Sequence, residues 1–240
     1  MVDPRTGIIN ERLKGIKRII AVSSGKGGVG KSLVATNLAL ELARKGCNVG
    51  LFDLDFTSPS THVILGAKDA QPTEDKGLIP PLVCGLHYMS LVYYSGNNAA
   101  PLRGADTSNA LIELLAVTIW NDLDYLIIDT PPGIGDAMLD LIKFIHRIEF
   151  LIVTTSSQLA FETVKKQLLL LQELKIPILG VVENMKMTQS RSVQQRTESM
   201  GIPFLSEILY DPNIEGSIGD PEKLANTELA KKVKLIAQTV

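Results

Sequence analysis

The chain has 240 residues, a hydrophobic fraction of 45%, a charged fraction of 21%, a formal net charge of −2 and a pI near 6.0. That length fits one α/β domain and leaves little for a second, and the charge balance gives no electrostatic case for strong nucleic-acid binding. No apolar run approaches the roughly 18 residues of a membrane span. Residues 1–17 lack the apolar core of a secretory signal, and Cys47 and Cys84 lie too far apart in sequence to indicate a disulfide framework or a local metal-ligand pair. The chain is therefore expected to be cytoplasmic, without stable membrane association and without a nucleic-acid partner.

Taken in order, residues 1–17 read as a loose lead-in and 18–240 as one domain. Residues 18–22 (RIIAV) predict a buried strand, 33–44 a helix that Gly46 ends, and 48–53 a second strand. This strand–helix–strand order is a βαβ unit, whose crossover is right-handed. Short strands follow at 78–84 and 86–92, the first weakened to an edge by Pro80 and Pro81. Helices are predicted over 108–120, 136–146, 161–174 and 227–240, and strands over 125–129, 148–154 and 178–182. The strands are nearly continuous in Ile, Val and Leu, which argues for a mostly parallel, twisted sheet with helices on both faces. Ligands on such sheets sit at the carboxyl ends of the strands.

Between the first strand and helix lies Ser24 followed by GKGGVGKS. Residues 25–32 satisfy G-x-x-x-x-G-K-[ST], the phosphate-cradling pattern, in the required strand–loop–helix context. Gly25, Gly27, Gly28 and Gly30 let the backbone wrap an anion, with the amides of the loop, Val29 included, turned inward. The following helix adds its positive N-terminal end. Lys31 reaches the β- and γ-phosphates, and the Ser32 hydroxyl ligates Mg2+. The fold class expected is thus an α/β P-loop NTPase, with ATP and Mg2+ as cofactors.

Three further groups fall at predicted strand ends. Asp129 closes 125–129, where a carboxylate beside a phosphate loop holds Mg2+. Pro132 and Gly133 after it have the character of a switch, in which the Gly133 amide senses the γ-phosphate. Asp53 and Asp55 alternate along one strand and share a face, one suited to metal or its support and the other to orienting the attacking water. Asn184, at the end of 178–182, has an amide able to pair with an adenine edge, although on local evidence alone an Asn turn residue explains it nearly as well. His62, His87 and His146 are scattered, and Trp120 reads as packing.

These blocks resemble the Mrp/ApbC branch of the MinD/ParA class of deviant Walker A ATPases. The resemblance is carried by GKGGVGKS, Asp53-Leu54-Asp55 with Ser58-Pro59-Ser60, Leu102-Arg103-Gly104, DYLIIDTPPGIGD over 124–136, Val153-Thr154-Thr155, IPILGVVENM over 176–185 and GIPFLSEILYD over 201–211. It implies a homodimeric ATPase acting with a metallocofactor-assembly partner in iron–sulfur cluster assembly. It further implies that Lys26 reaches across the dimer to the partner's nucleotide, that Asp55 orients the water while Asp53 serves metal, and that Asn184 binds the base, flanked by the loop at Tyr210-Asp211-Pro212. Lys26, Lys31 and Asp55 are then the catalytic set, and Ser32, Asp53 and Asp129 the metal set.

The chain departs from that branch in one place. Many members carry Cys-x-x-Cys soon after ENM, whereas this sequence continues Met185-Lys186-Met187-Thr188-Gln189-Ser190-Arg191-Ser192. Thiolates hold iron–sulfur clusters, so a cluster at the usual site is not expected; Cys84 reads as buried core. The resemblance leaves two competing functions, an ATP-driven positioning switch of the MinD/ParA kind and, more remotely, a P-loop metabolic enzyme. The positioning switch needs a membrane-seeking tail or a basic surface. The tail over 227–240, with Leu229, Val233 and Ile236 on one face, reads instead as a helix packed on the domain.

Overall fold

A computed structural model describes residues 3–56, 58–67, 70–95 and 105–240. In chain order they form α1 (Arg5–Leu13), β1 (Ile16–Ser24), α2 (Lys31–Arg44), β2 (Val49–Asp53), α3 (Thr61–Leu65), β3 (Thr73–Glu74), β4 (Leu78–Ile79), β5 (Leu82–Val83), β6 (Leu86–Ser90), α4 (Val92–Ser95), α5 (Ala105–Val117) and β7 (Leu123–Asp129). The chain continues through α6 (Asp136–Phe144), β8 (Ile148–Thr154), α7 (Gln158–Glu173), β9 (Ile178–Lys186), α8 (Ser192–Ser199), β10 (Phe204–Leu209), a 3-10 turn (Pro212–Ser217), α9 (Pro221–Ala225) and α10 (Glu228–Thr239).

Eight strands make one sheet in the order β10-β9-β8-β1-β7-β2-β6-β5, parallel throughout except for the β5–β6 hairpin at one edge. The alternation of side chains along β1 explains its unbroken apolar run. Ile19 and Ala21 join a core with Leu115 of α5, Met138 of α6 and Phe161 of α7. Ile20 and Val22 point the other way, into a core with Val34 and Leu38 of α2 and Val233 of α10. Both faces of the sheet are covered by helices, as the strand composition predicts. The C-terminal helix also sits where expected: Leu229, Val233 and Ile236 of α10 are buried, and the helix packs on α2 and β10.

Three expectations change, the first being that Cys84, read as buried core, is exposed in the turn between β5 and β6, with φ of +51°. Within the expected lead-in, Arg5–Leu13 is not loose but helical, and it buries Ile9 and Leu13, four residues apart and so on one face. The single strand expected over 78–84 is two short ones. Pro80 and Pro81 interrupt the ladder, so β4 pairs antiparallel with β3 while β5 pairs with β6. Trp120 lies beyond the end of α5 and packs edge-on against Phe52, ring centroids 5.2 Å apart. Leu102-Arg103-Gly104 lies outside the described residues.

Ile9 is fully buried in the core shared by α1 and α5. Ile9→Ala should lower the unfolding free energy by about 2–5 kcal/mol. Denaturant titration checks this, and a change near zero would return α1 to the status of a dispensable lead-in.

Candidate functional site

β1 stands between β7 and β8, the point at which the sheet order reverses, and such points open a crevice at the carboxyl ends of the strands. The register brings Val22 and Asp53 level with Asp129, and Thr154 level with Glu183. The expected site residues therefore arrive at one edge of the sheet from distant parts of the chain.

The loop from Gly25 to Ser32 joins β1 to α2. Gly28 and Gly30 have φ of +77° and +78°, values that L side chains adopt with strain. A Cβ added at Gly27 or Gly28 would meet no atom within 4 Å, so the space over them is open. At Gly25 an added Cβ would lie 2.8 Å from the Val164 amide nitrogen, which shows how closely α7 supports the loop. A groove of about 450 Å3 borders the loop, and its walls include Lys26, Lys31, Ser32, Asp55, Ser58 and Pro132. Lys26 is exposed and has no ion-pair partner among the described residues.

Lys31 is only 6% exposed and sits between two carboxylates. Its Nζ donates to Asp129 Oδ1 at 2.5 Å, lies 3.6 Å from Asp55 Oδ2 and is 3.3 Å from the Ser32 hydroxyl. Burial raises the Asp129 carboxyl above the ordinary range, with the Lys31 charge and hydrogen bond opposing it. Asp129 Oδ2 is buried and takes no hydrogen bond from the described residues, with Ser32 close by. An orphaned buried carboxylate oxygen beside a hydroxyl is a donor pair suited to a hard divalent cation.

Asp53 is engaged differently. Its Oδ1 accepts the Asp55 amide at 3.1 Å, and its Oδ2 accepts the Thr61 amide at 3.2 Å and the Thr61 hydroxyl at 2.6 Å. The Thr61 hydroxyl in turn lies 2.9 Å from the Tyr88 hydroxyl. Both oxygens of Asp53 are thus held by protein, and the residue ties the end of β2 to the start of α3. Asp55 accepts the Ser58 amide at 3.2 Å. The Gly133 amide, expected to sense a phosphate, donates to the Ser24 carbonyl at 2.7 Å, with φ of +89° at Gly133. Pro132 lines the groove.

Asn184 is 2% exposed, and its Nδ2 donates to the Val29 carbonyl at 2.9 Å. Beyond it, where the cysteine pair would be sought, Lys186 is buried with its ammonium 3.4 Å from Glu183 Oε2 and bonded to Glu207. Glu183 Oε1 accepts the Ser156 hydroxyl at 2.7 Å. Thr61, Tyr88 and the Glu183–Lys186–Glu207 cluster escape sequence reading. Thr61 follows the quoted Ser58-Pro59-Ser60, a signal close at hand, but Tyr88 is 27 residues from Thr61 and only the sheet brings them together.

A parallel sheet with a glycine loop at its switch point, a buried lysine and a strand-end carboxylate define a P-loop nucleotide-binding protein. The chain belongs to the ParA group described as NUBPL iron-transfer P-loop NTPase, whose family model it matches over residues 15–240. It is 45% identical over 178 residues to an iron-sulfur cluster carrier protein of Salmonella typhimurium, covering 73% of this chain and 48% of the carrier. A carrier of the same description from Aquifex aeolicus is 35% identical over 250 residues, covering 96% of this chain and 69% of the relative. The chain thus spans about half the length of the Salmonella relative. Among solved structures, a nucleotide-binding protein from Archaeoglobus fulgidus in complex with ADP is 31% identical, with a TM-score of 0.78 and coverage of 92% and 93% of the two chains. The Pyrococcus furiosus cell division ATPase MinD shares the fold, with a TM-score of 0.69, 24% identity and coverage of 93% and 98%. The Mrp-type resemblance read from the motifs is borne out. Among the described residues no helix is long and apolar enough to cross a membrane.

Burial, and next the charge of Asp129, push the Asp53 carboxyl from 3.8 up to about 7. Folding therefore takes up a proton between those values. The resulting stability is complete below the unfolded value and is lost as pH rises through about 7. In thermal melts, wild type minus Asp53→Asn should fall between pH 5 and pH 8. Parallel curves for the two proteins would refute the assignment.

Proposed function

We propose that this chain is a Mg2+-dependent, ATP-binding and ATP-hydrolysing switch that serves iron–sulfur cluster or metallocofactor assembly, working as a homodimer with an assembly partner. The observation that carries the reading is the convergence of Lys31, Asp129 and Asp55 under an open glycine loop. The names of the relatives supply the assembly context.

Ser32 and Asp129 would hold the cation, which supplies charge neutralisation for the β- and γ-phosphates when bound. On arrival of the triphosphate, Lys31 exchanges its carboxylate partners for phosphate oxygens. Asp55, still accepting the Ser58 amide, then turns from Lys31 to orient the attacking water. Asp53 supports this arrangement by holding the Asp55 amide and the first turn of α3. Gly133 can report the γ-phosphate by trading its bond to Ser24 for one to the nucleotide. Lys26, exposed on the rim, acts on the nucleotide of the partner subunit and stabilises charge on the departing phosphoryl group. The cluster, if one passes through the assembly, is cargo held by the partner, since the segment after Asn184 has no thiolates.

Titration calorimetry with ATP and Mg2+ tests the first half of this reading. Wild type should bind, Lys31→Ala should weaken binding about 10–100-fold as a charge-assisted contact is lost, and chelation of Mg2+ should stop phosphate release. Lys26→Ala should bind ATP as wild type does while its hydrolysis, measured at dimer-forming concentration with or without partner, falls about 100-fold or more. A wild-type protein that binds no adenine nucleotide would overturn the proposal.

A further inference from the structure

A phosphate loop binds tightly only if its amides already face inward before the anion arrives, because ordering them on binding subtracts from affinity. In this chain the turn that aims them contains Val29, flanked by Gly28 and Gly30 in the left-handed region at +77° and +78°. The flanking glycines have no side chains with which to hold that shape, so a contact from elsewhere must set it.

That contact is Asn184. Its Nδ2 donates to the Val29 carbonyl at 2.9 Å across 155 residues of sequence, from a position 2% exposed. A Cβ added at Gly30 would stand 2.2 Å from the same Nδ2. The amide therefore occupies the volume that any side chain at position 30 would need, and Gly30 is required for this contact as well as for its φ. The strand end that carries Asn184 is itself fixed, with Val182 in register with Val153 of β8 and Glu183 bonded to Ser156. The anchor is thus attached to the sheet and not to a free loop.

We propose that Asn184 is a positioning residue for the phosphate loop: by holding the Val29 carbonyl it keeps the amides of residues 27–30 in their anion-binding arrangement, whatever contact it makes with a base. The inference rests on the reading of this loop as a triphosphate site. An amide side chain has two N–H donors and one carbonyl, so the bond to Val29 leaves capacity for a base edge and the two duties are compatible. They differ in one respect: loop positioning acts on any polyphosphate, whereas base recognition acts only on a nucleotide.

The test uses a ligand without a base. Binding of Mg2+-tripolyphosphate and of Mg2+-ATP is measured by calorimetry on wild type, Asn184→Ala and Asn184→Asp. Hydrogen exchange of amides 27–30 is followed in the ligand-free proteins. Loss of one such hydrogen bond should weaken tripolyphosphate about fivefold and ATP at least as much, and should speed exchange at 27–30 while β1 stays protected. Asn184→Asp keeps the side-chain volume and turns an acceptor toward the Val29 carbonyl, so it should weaken both ligands at least as much even if the alanine variant folds poorly. Weakening of ATP alone would mark Asn184 as a base reader and overturn the inference. So would a lowered melting temperature with both affinities and loop exchange unchanged. A wild type that binds tripolyphosphate but not ATP would sink the ATP reading alone, and the exchange data on ligand-free protein would still decide this one.

Discussion

Lys31 is an ammonium ion almost wholly withdrawn from water, with Asp129 and Asp55 on either side of it. Isolated charges in such a place are too unfavourable to persist, and a buried carboxylate or amine survives as an ion only with a partner close by. Here two acids and one base share the pocket, and burial raises the carboxyls of Asp129 and Asp53. The site therefore gathers more acidic groups than its single lysine can pair with. Removing Lys31 from the set, as phosphates would, leaves an acidic cluster that favours a cation. The same electrostatics that hold the site together would suit a metal–polyphosphate ligand.

The remainder of the structure can be understood as what keeps that cluster in place. The parallel register puts Asp53 and Asp129 opposite one another on adjacent strands, and the crossover from β1 through α2 brings Lys31 to the same edge. Buried helices on both faces leave the strands no freedom to slip, since a one-residue shift would turn every apolar side chain of β1 to the wrong core. Thr61, backed by the Tyr88 hydroxyl, satisfies Oδ2 of Asp53 and the Asp55 amide satisfies Oδ1, so its burial leaves neither oxygen unpaired.

Much of this was legible in the sequence because it is local. GKGGVGKS fixes a loop by the backbone freedom of its glycines, and Asp53, Asp55 and Asp129 follow apolar runs too short for helices. Relationships that depend on tertiary placement were not legible. Asn184 could be read as a base ligand or a turn residue, but its bond to Val29 exists only because β9 and β1 lie one strand apart. Spacing put Asp53 and Asp55 on one strand face and the family resemblance gave Asp53 the metal, but only the return of Thr61 shows that the Asp53 Oδ2 is in use. The amphipathic spacing of Ile9 and Leu13 was visible in principle, but a helix of 9 residues with two buried side chains gives a faint periodic signal.

The segment after Asn184 carries no cysteine. This chain instead places a lysine, 3% exposed at its side chain, between Glu183 and Glu207. A buried ion pair of that kind contributes little net stability but defines one geometry, because breaking either contact strands a charge. The end of β9 is thereby locked to β10 and, through Ser156, to β8. Asn184 stands next to Glu183 and bonds to the Val29 carbonyl of the phosphate loop, so the strand end that Lys186 ties to β10 also borders the nucleotide site.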